Sequence, residues 1–475
     1  MIYIVAAVAI PLFVLFLFLQ PKYKAMIAFF MMMQCFDVVP TIAFGMYVWD
    51  YGTILMLITA VELYARKPIV KPPEHAYLLV LKIFLAWLLI CFAWSLLVYQ
   101  YPLVHTIKNA RYMVLGYFMT FVFIRLFSVQ PESFELMLKW IYRLTFVLMP
   151  FVLLQYLLKK QIFFGLVTDY QGSIRALPVF LPFCLLNFWI IASKFLSSQK
   201  LAVHEYCYAL FALITMALTY TRGIYAAFIL TCGVLIWTMS RERTLRFSAL
   251  VGSIALGTLV LAILLASGLA QKVGGRAVSG IDLLASRESS TAGKENYDTF
   301  NGRLGLAAER FALVGSRNPL IGYGFLHEDD VPVEVRHRLR FGTGLGGTAD
   351  DPTAYAKYGA FSNYNVLGLY SSDIAWADIV ISTGWVGVLL LLAFIMTYIF
   401  EHYRKVDSVH PMGFAMKTGL YLQTVMIFIL TVDGNSLYGS VHIPAFLLAG
   451  YSLTREPRIL ANTLTLRARI SNLMT

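Results

Sequence analysis

The sequence predicts an all-α polytopic membrane protein of about 12–13 transmembrane helices, interrupted by one large loop that itself contains short helices. Of 475 residues, 59% are hydrophobic and only 13% charged, and mean hydropathy is +0.71. Apolar runs repeatedly reach the roughly 20 residues that span hydrocarbon. Against that background one long polar interval, Gln271 to Ser372, stands out. A membrane barrel would need short alternating segments, and these are absent.

Taken in order, the apolar runs fall at 2–20, 25–47, 51–65, 77–99, 111–130, 136–158, 176–195, 203–220, 223–240, 247–268, 377–400, 414–432 and 439–454. The first lacks a basic n-region and a small-residue cleavage site, so it is expected to be retained. Cys35, Cys91, Cys184, Cys207 and Cys232 all lie inside apolar runs without paired spacing, which argues against a disulfide framework and against a metal site. Three parts are expected: 1–270 with about ten transmembrane helices, 271–372 as the large loop, and 373–475 with about three helices and a basic tail.

The net charge of +12 would suggest nucleic acid in a soluble chain. Here it must first be divided by membrane side, because basic residues in short loops mark the cytoplasmic face. Arg241 to Arg246 is the strongest such signal, and Lys22 with Lys24, Arg66 with Lys67, Arg404 with Lys405, and the tail arginines fall on the same side if each run crosses once. The N-terminus and the polar insert are then outside and the C-terminus inside. Lys108, Arg111, Lys159, Lys160, Arg175, Arg222 and the insert arginines break the bias. Cations placed against the topogenic trend point to an anionic ligand at the outer surface.

Within the insert, Gly274 to Asp298 reads as a loop rich in Gly, Ser and charge. The apolar positions from Asn301 to Val314 suit a short amphipathic helix at the interface. Asn318-Pro319 ends it, Gly322-Tyr323-Gly324-Phe325 forms a turn, and Val331 to Phe341 suits a second short helix.

Three places are suited to chemistry. Thr219-Tyr-Thr-Arg-Gly223 is a tight outer hairpin, and an arginine there either lines a wet site or snorkels to headgroups. Gly302-Arg303 opens the amphipathic helix; a guanidinium fork matches phosphate oxygens and stays charged, though a lipid headgroup satisfies it equally. Asp373 and Asp378 enter the run containing Gly384 and Gly387. Asp373 fits an N-cap as well as a base or orienter for a hydroxyl.

In order and spacing, Thr221-Arg222-Gly223, Gly302-Arg303 and Pro319-Leu-Ile-Gly-Tyr-Gly-Phe325 resemble motifs of the O-antigen ligase and O-antigen polymerase superfamily of bacterial envelope glycan assembly. The resemblance covers roughly residues 205 to 435. It implies a periplasmic insert in a multi-pass protein of the bacterial inner membrane, with a periplasmic N-terminus and a cytoplasmic C-terminus. It also implies an inverting glycosyl transfer from a polyprenyl-diphosphate-linked oligosaccharide, with no cofactor, no metal and no nucleotide sugar. The ligases carry a histidine eleven positions before the Gly-x-x-Gly pair, where this chain has Asp373 before Gly384 and Gly387. That departure favours a polymerase of O-antigen or exopolysaccharide repeat units over a ligase acting on lipid A core. His327, His337 and His442 are the histidines also expected outside.

In the role so implied, Arg222 and Arg303 stabilise the departing diphosphate and Asp373 serves the acceptor hydroxyl. Lys108, Arg111, Arg175, Asp378 and Tyr323 bind substrate. Asp329-Asp330 and Asp350-Asp351 read as solvated loop charges. The expected partners are the lipid-linked donor, a glycan acceptor, the lipid bilayer and a chain-length regulator, with no nucleic acid. A reading from another class is a flippase for lipid-linked glycan. Glu62 and Lys82, expected within spans, are the features that favour it.

Overall fold

The structure is a computed structural model, described for residues 13–33, 48–70, 75–160, 166–170, 173–178, 180–197, 199–219, 222–245, 307–336, 339, 369–370, 375–406 and 413–430. It is an all-α polytopic membrane protein. In chain order the main helices are α1 (Pro21–Met32), α2 (Val48–Ala65), α3 (Ala76–Leu97), α4 (Leu103–Val129), α5 (Glu132–Leu158), α6 (Leu181–Leu196), α7 (Val203–Ala217), α8 (Arg222–Arg241), α9 (Ala375–Lys405) and α10 (Phe414–Leu430). Among the described residues, five helices are long and apolar enough to cross a membrane, and α6, α7 and α10 are shorter apolar helices. The runs expected at 247–268 and 439–454 lie outside the described residues.

Local chemistry sets the helix ends. Pro21 occupies the first turn of α1 and Pro102 precedes α4, where a missing N–H costs nothing. Glu132 and Glu135 sit in the first turn of α5, favourable to its dipole, and Lys159 closes α5 in the left-handed region at φ 55°. At the start of α7 the Glu205 carboxylate accepts the Ala202 N–H at 3.0 Å. Between helices the Tyr208 hydroxyl lies 2.5 Å from Thr145 Oγ1 and accepts from Asn187 Nδ2 at 3.0 Å, so one buried network ties α5, α6 and α7.

One small departure from pure helix occurs. Leu166–Tyr170 (β1) and Ser173–Leu177 (β2) pair antiparallel, with Ala176 opposite Val167 and Arg175 opposite Thr168. The Ala176 N–H donates to the Leu218 carbonyl at 3.0 Å, which fastens the hairpin to the end of α7. The sequence reading began a helix at 176; the first helical residue is Leu181.

Contacts between helix ends sort the basic clusters onto one face. Lys24 and Arg66 share the Glu62 carboxylate at 2.7 and 2.5 Å. Arg125 donates to the carbonyls of Leu63 and Arg66, and Arg241 donates to the Val406 carbonyl at 2.6 Å while lying over the Tyr403 ring. Glu401 accepts the Ala76 N–H at 2.9 Å at this same end. The opposite face carries the α3–α4 turn, the hairpin, the start of α8 and the described part of the insert.

The insert is locked there by a break in α9. Gly384 has φ 64° and ψ −170°, a conformation open essentially to glycine alone. Trp385 N–H, freed from its helical partner, donates to the Pro319 carbonyl at 2.9 Å; the Ile381 carbonyl accepts the Tyr323 N–H at 2.8 Å. The Thr383 carbonyl takes the Trp87 indole N–H at 2.9 Å. Buried backbone groups must find partners, and residues 319–323 supply them. A Cβ on Gly384 would meet the Leu320 carbonyl oxygen at 2.0 Å.

Gly384→Ala is therefore expected to destabilise the protein by several kcal/mol, roughly 2–4, seen as a clear drop in Tm in detergent. Gly233→Ala, which meets nothing within 4 Å, should leave Tm unchanged or slightly raised, since alanine is the better helix former. Equal Tm values for the two variants would contradict the account of the break.

Candidate active site

The Asn318 to Phe325 turn is the scaffold of the site. The Asn318 side chain accepts the N–H groups of Leu320 and Ile321 at 3.1 and 3.2 Å. Tyr99 donates its hydroxyl to the Gly322 carbonyl at 2.8 Å, and the Phe325 N–H donates to Ser95 Oγ at 2.8 Å. Gly322 and Gly324 adopt φ of 73° and 68°, and a Cβ on Gly322 would meet the Ile381 carbonyl oxygen at 2.5 Å. The glycines permit close backbone approach to α9 and α3. Their role is docking, whatever else the segment does.

Tyr323 is consequently a packing residue. Its side chain is 2% exposed in a cluster with Leu313, Val314, Leu326, Val380 and Ile381. Above it, exposed Arg317 lies 4.4 Å from the Tyr323 ring centroid and 4.7 Å from that of Tyr99. Arg317 also donates to the Tyr101 hydroxyl at 3.3 Å. Burial pushes the Tyr101 phenol up to about 12, so it stays a neutral partner for the cation.

Sequence reasoning did not single out Arg310, which is 0% exposed. Its guanidinium pairs with Glu309 at 2.5 Å and its Nε donates to the Leu369 carbonyl at 3.3 Å. Burial lowers its pKa below the ordinary arginine value, opposed by the charges of Glu309, Asp378 and Glu328. Glu328 in turn accepts the Leu369 N–H at 2.9 Å. Asp378, 3% exposed, thus lies in a buried cluster of charge between the insert and the first turn of α9, in which one arginine faces three carboxylates.

Arg111 is likewise committed. Its Nε lies 3.2 Å from Asp50, itself buried at the start of α2, and it donates to the Tyr112 hydroxyl at 2.8 Å. Lys108, by contrast, is exposed on the same helix. The hairpin places Arg175 next to Ala176, whose N–H holds the α7 end just before Arg222 opens α8. The side chains of Arg175 and Arg222, and Arg303 and Asp373 altogether, lie outside the described residues. Residues 307–317, which follow Arg303, are helical and sit on the insert face. The backbone thus carries Arg175 and Arg222 to the same end of the bundle as the described part of the insert.

His327 proves less isolated than the sequence suggested, and Asp330 is no solvated loop charge. His105 from α4 bonds Asp330 Oδ2 through Nδ1 at 2.8 Å across 225 residues of sequence, and the His105 and His327 rings stack with centroids 4.7 Å apart. No motif could have announced this pairing. The two residues that favoured transport have ordinary surroundings: Glu62 is shared by Lys24 and Arg66 at a helix end, and Lys82 is exposed.

Comparison with known proteins gives one family match. Residues 207–392 fit the family model described as O-antigen ligase. No curated protein matches the chain.

Proposed function

We propose, from the match of residues 207–392 to the O-antigen ligase family model, that this chain is a membrane glycosyltransferase that polymerises lipid-linked oligosaccharide repeat units. The donor is a glycan on polyprenyl diphosphate in the outer leaflet of the bacterial inner membrane. The acceptor is a hydroxyl of a second lipid-linked glycan, and a chain-length regulator is a natural partner. The observation that supports this reading is that exposed Lys108 and Arg317, with the backbone positions of Arg175 and Arg222, lie at the end of the bundle opposite the basic helix ends of Lys24, Arg66 and Arg241.

In the transfer, the acceptor oxygen attacks the anomeric carbon from the side opposite the diphosphate. The carbon–oxygen bond to the diphosphate breaks, polyprenyl diphosphate leaves, and the anomeric centre inverts. Arg222 and Arg303 bind the leaving group more tightly as its charge grows, which is where binding energy accelerates chemistry. Asp373 accepts or orients the acceptor proton. Lys108 and Arg175 guide the anionic headgroup. Arg111 and Asp378 act indirectly, holding α4 against α2 and the insert against α9. The carboxylate of Asp373, at the position where the ligases have histidine, favours polymerisation over transfer to lipid A core.

Arg222→Ala and Arg303→Ala are each expected to cut polymer formation by at least about a hundredfold, with protein level and monomeric lipid-linked unit intact. Lysine at either position should rescue poorly, because a point charge lacks the bidentate fork. Full-length polymer from both alanine variants would overturn the clamp. Purified protein given polyprenyl-diphosphate oligosaccharide should yield a ladder on a gel. A single shift of an added acceptor would make it a ligase, and no covalent product would make it a carrier.

Orientation has its own test. In a background without the native cysteines, Leu320→Cys is expected to react with an impermeant maleimide on intact spheroplasts. Lys67→Cys should react only after permeabilisation. The reverse pattern would put the insert in the cytoplasm and remove the site from the outer leaflet.

A further inference from the structure

The His105, His327 and Asp329 side chains present ligand atoms that all lie within 4.8 Å of one another, near enough for small side-chain rotations to gather them around one ion. Asp330 Oδ2 holds His105 Nδ1 at 2.8 Å, which fixes the ring and presents Nε2 on its far side. A carboxylate behind a ligating imidazole is the usual outer-shell arrangement. His327 Nδ1 lies 3.3 Å from the Asp329 backbone nitrogen. The Asp329 carboxylate oxygen stands 3.3 Å from the same imidazole nitrogen. Ligands about 2 Å from a tetrahedral metal lie roughly 3.3 Å apart, the separation already present between these two atoms.

We propose that His105, His327 and Asp329 bind a divalent transition-metal ion of the zinc class, which pins the insert to α4. Two imidazoles and a carboxylate are a donor set suited to such ions and poorly suited to magnesium. Entry is open: Asp329 is 74% exposed and the two imidazoles are 30% and 25% exposed. The ligands come from the first turn of α4 and from the short turn Glu328–Asp330. A bound ion therefore closes a clip beside the bond from Asn109 Nδ2 to the Leu326 carbonyl at 2.8 Å. The metal stiffens the attachment of the insert, and its binding does not depend on the glycan chemistry proposed above.

The experiment uses the full-length protein in detergent with any affinity tag removed, stripped with a chelator and then titrated with zinc against a competing chelating dye. One equivalent per chain is expected, with a raised Tm in the zinc-loaded protein. His105→Ala, His327→Ala and Asp329→Ala should each weaken binding more than tenfold, and Asp330→Asn about tenfold. His204→Ala, exposed on α7, should bind as the unaltered chain does. Cobalt loaded in place of zinc should give the visible absorption of a tetrahedral site, lost in His327→Ala. Asp329 lies on an exposed turn, so its variant reports on the site even if a histidine variant folds poorly. Failure to bind a stoichiometric ion at micromolar zinc would overturn the proposal, as would undiminished binding in Asp329→Ala. Either result would leave the transferase reading untouched.

Discussion

Everything on the insert face depends on one exchange of backbone hydrogen bonds. In an unbroken α9 the Trp385 N–H would bond the Ile381 carbonyl; instead each is given to the insert, at Pro319 and Tyr323. Neither the helix nor the loop satisfies its own buried groups without the other. That mutual dependence makes the segment around 318–325 part of the helix bundle, although the sequence sets 271–372 apart as its own stretch. The charge knot of Arg310 with Glu309, Glu328 and Asp378 lies beside the same seam. Removing one member of a buried set leaves the others uncompensated, at a cost of about 3–5 kcal/mol.

The two ends of the bundle use charge differently. At one end arginines and lysines are spent on helix C-terminal carbonyls and on Glu62, satisfying the chain itself. At the other, the firmly packed cations Arg310 and Arg111 have protein counterions, whereas Lys108 is exposed and Arg317 rests on aromatic faces. A face built this way has cations left to offer an incoming anion while its buried arginines are already held by the protein's own carboxylates. In the proposed transfer the scaffold holds the donor headgroup still, and positioning of that kind is a large part of what a transferase without covalent chemistry has to supply.

Much of the fold was legible because apolar runs near membrane length leave few alternatives. The runs at 77–99, 136–158, 203–220 and 414–432 correspond closely to α3, α5, α7 and α10. The hairpin at 166–177 was missed, though Leu-Val-Thr-Asp-Tyr-Gln-Gly-Ser carries the β-branched run and turn glycine that could have shown it. At the site, sequence spacing drew attention to segments that the structure packs together, but not to how their side chains are buried. Gly322 and Gly384 were each noticed, but nothing local says that one fills the gap made by the other. Tyr323 and Asp378 looked like surface chemistry because burial between two distant segments has no one-dimensional signature. The meeting of His105 with Asp330, and the capture of Arg111 by Asp50, are invisible for the same reason.

Hydrogen–deuterium exchange on the purified protein reaches the central claim most directly. If the insert and α9 share their backbone bonds, amides in peptides covering 318–326 and 380–386 should exchange as slowly as those in the middle of α3 and α4, over hours and not seconds. Exchange of 318–326 at the rate of a free surface loop, with α9 still protected through Trp385, would show that the helix does not need the insert and that the seam described here is not what holds the site together.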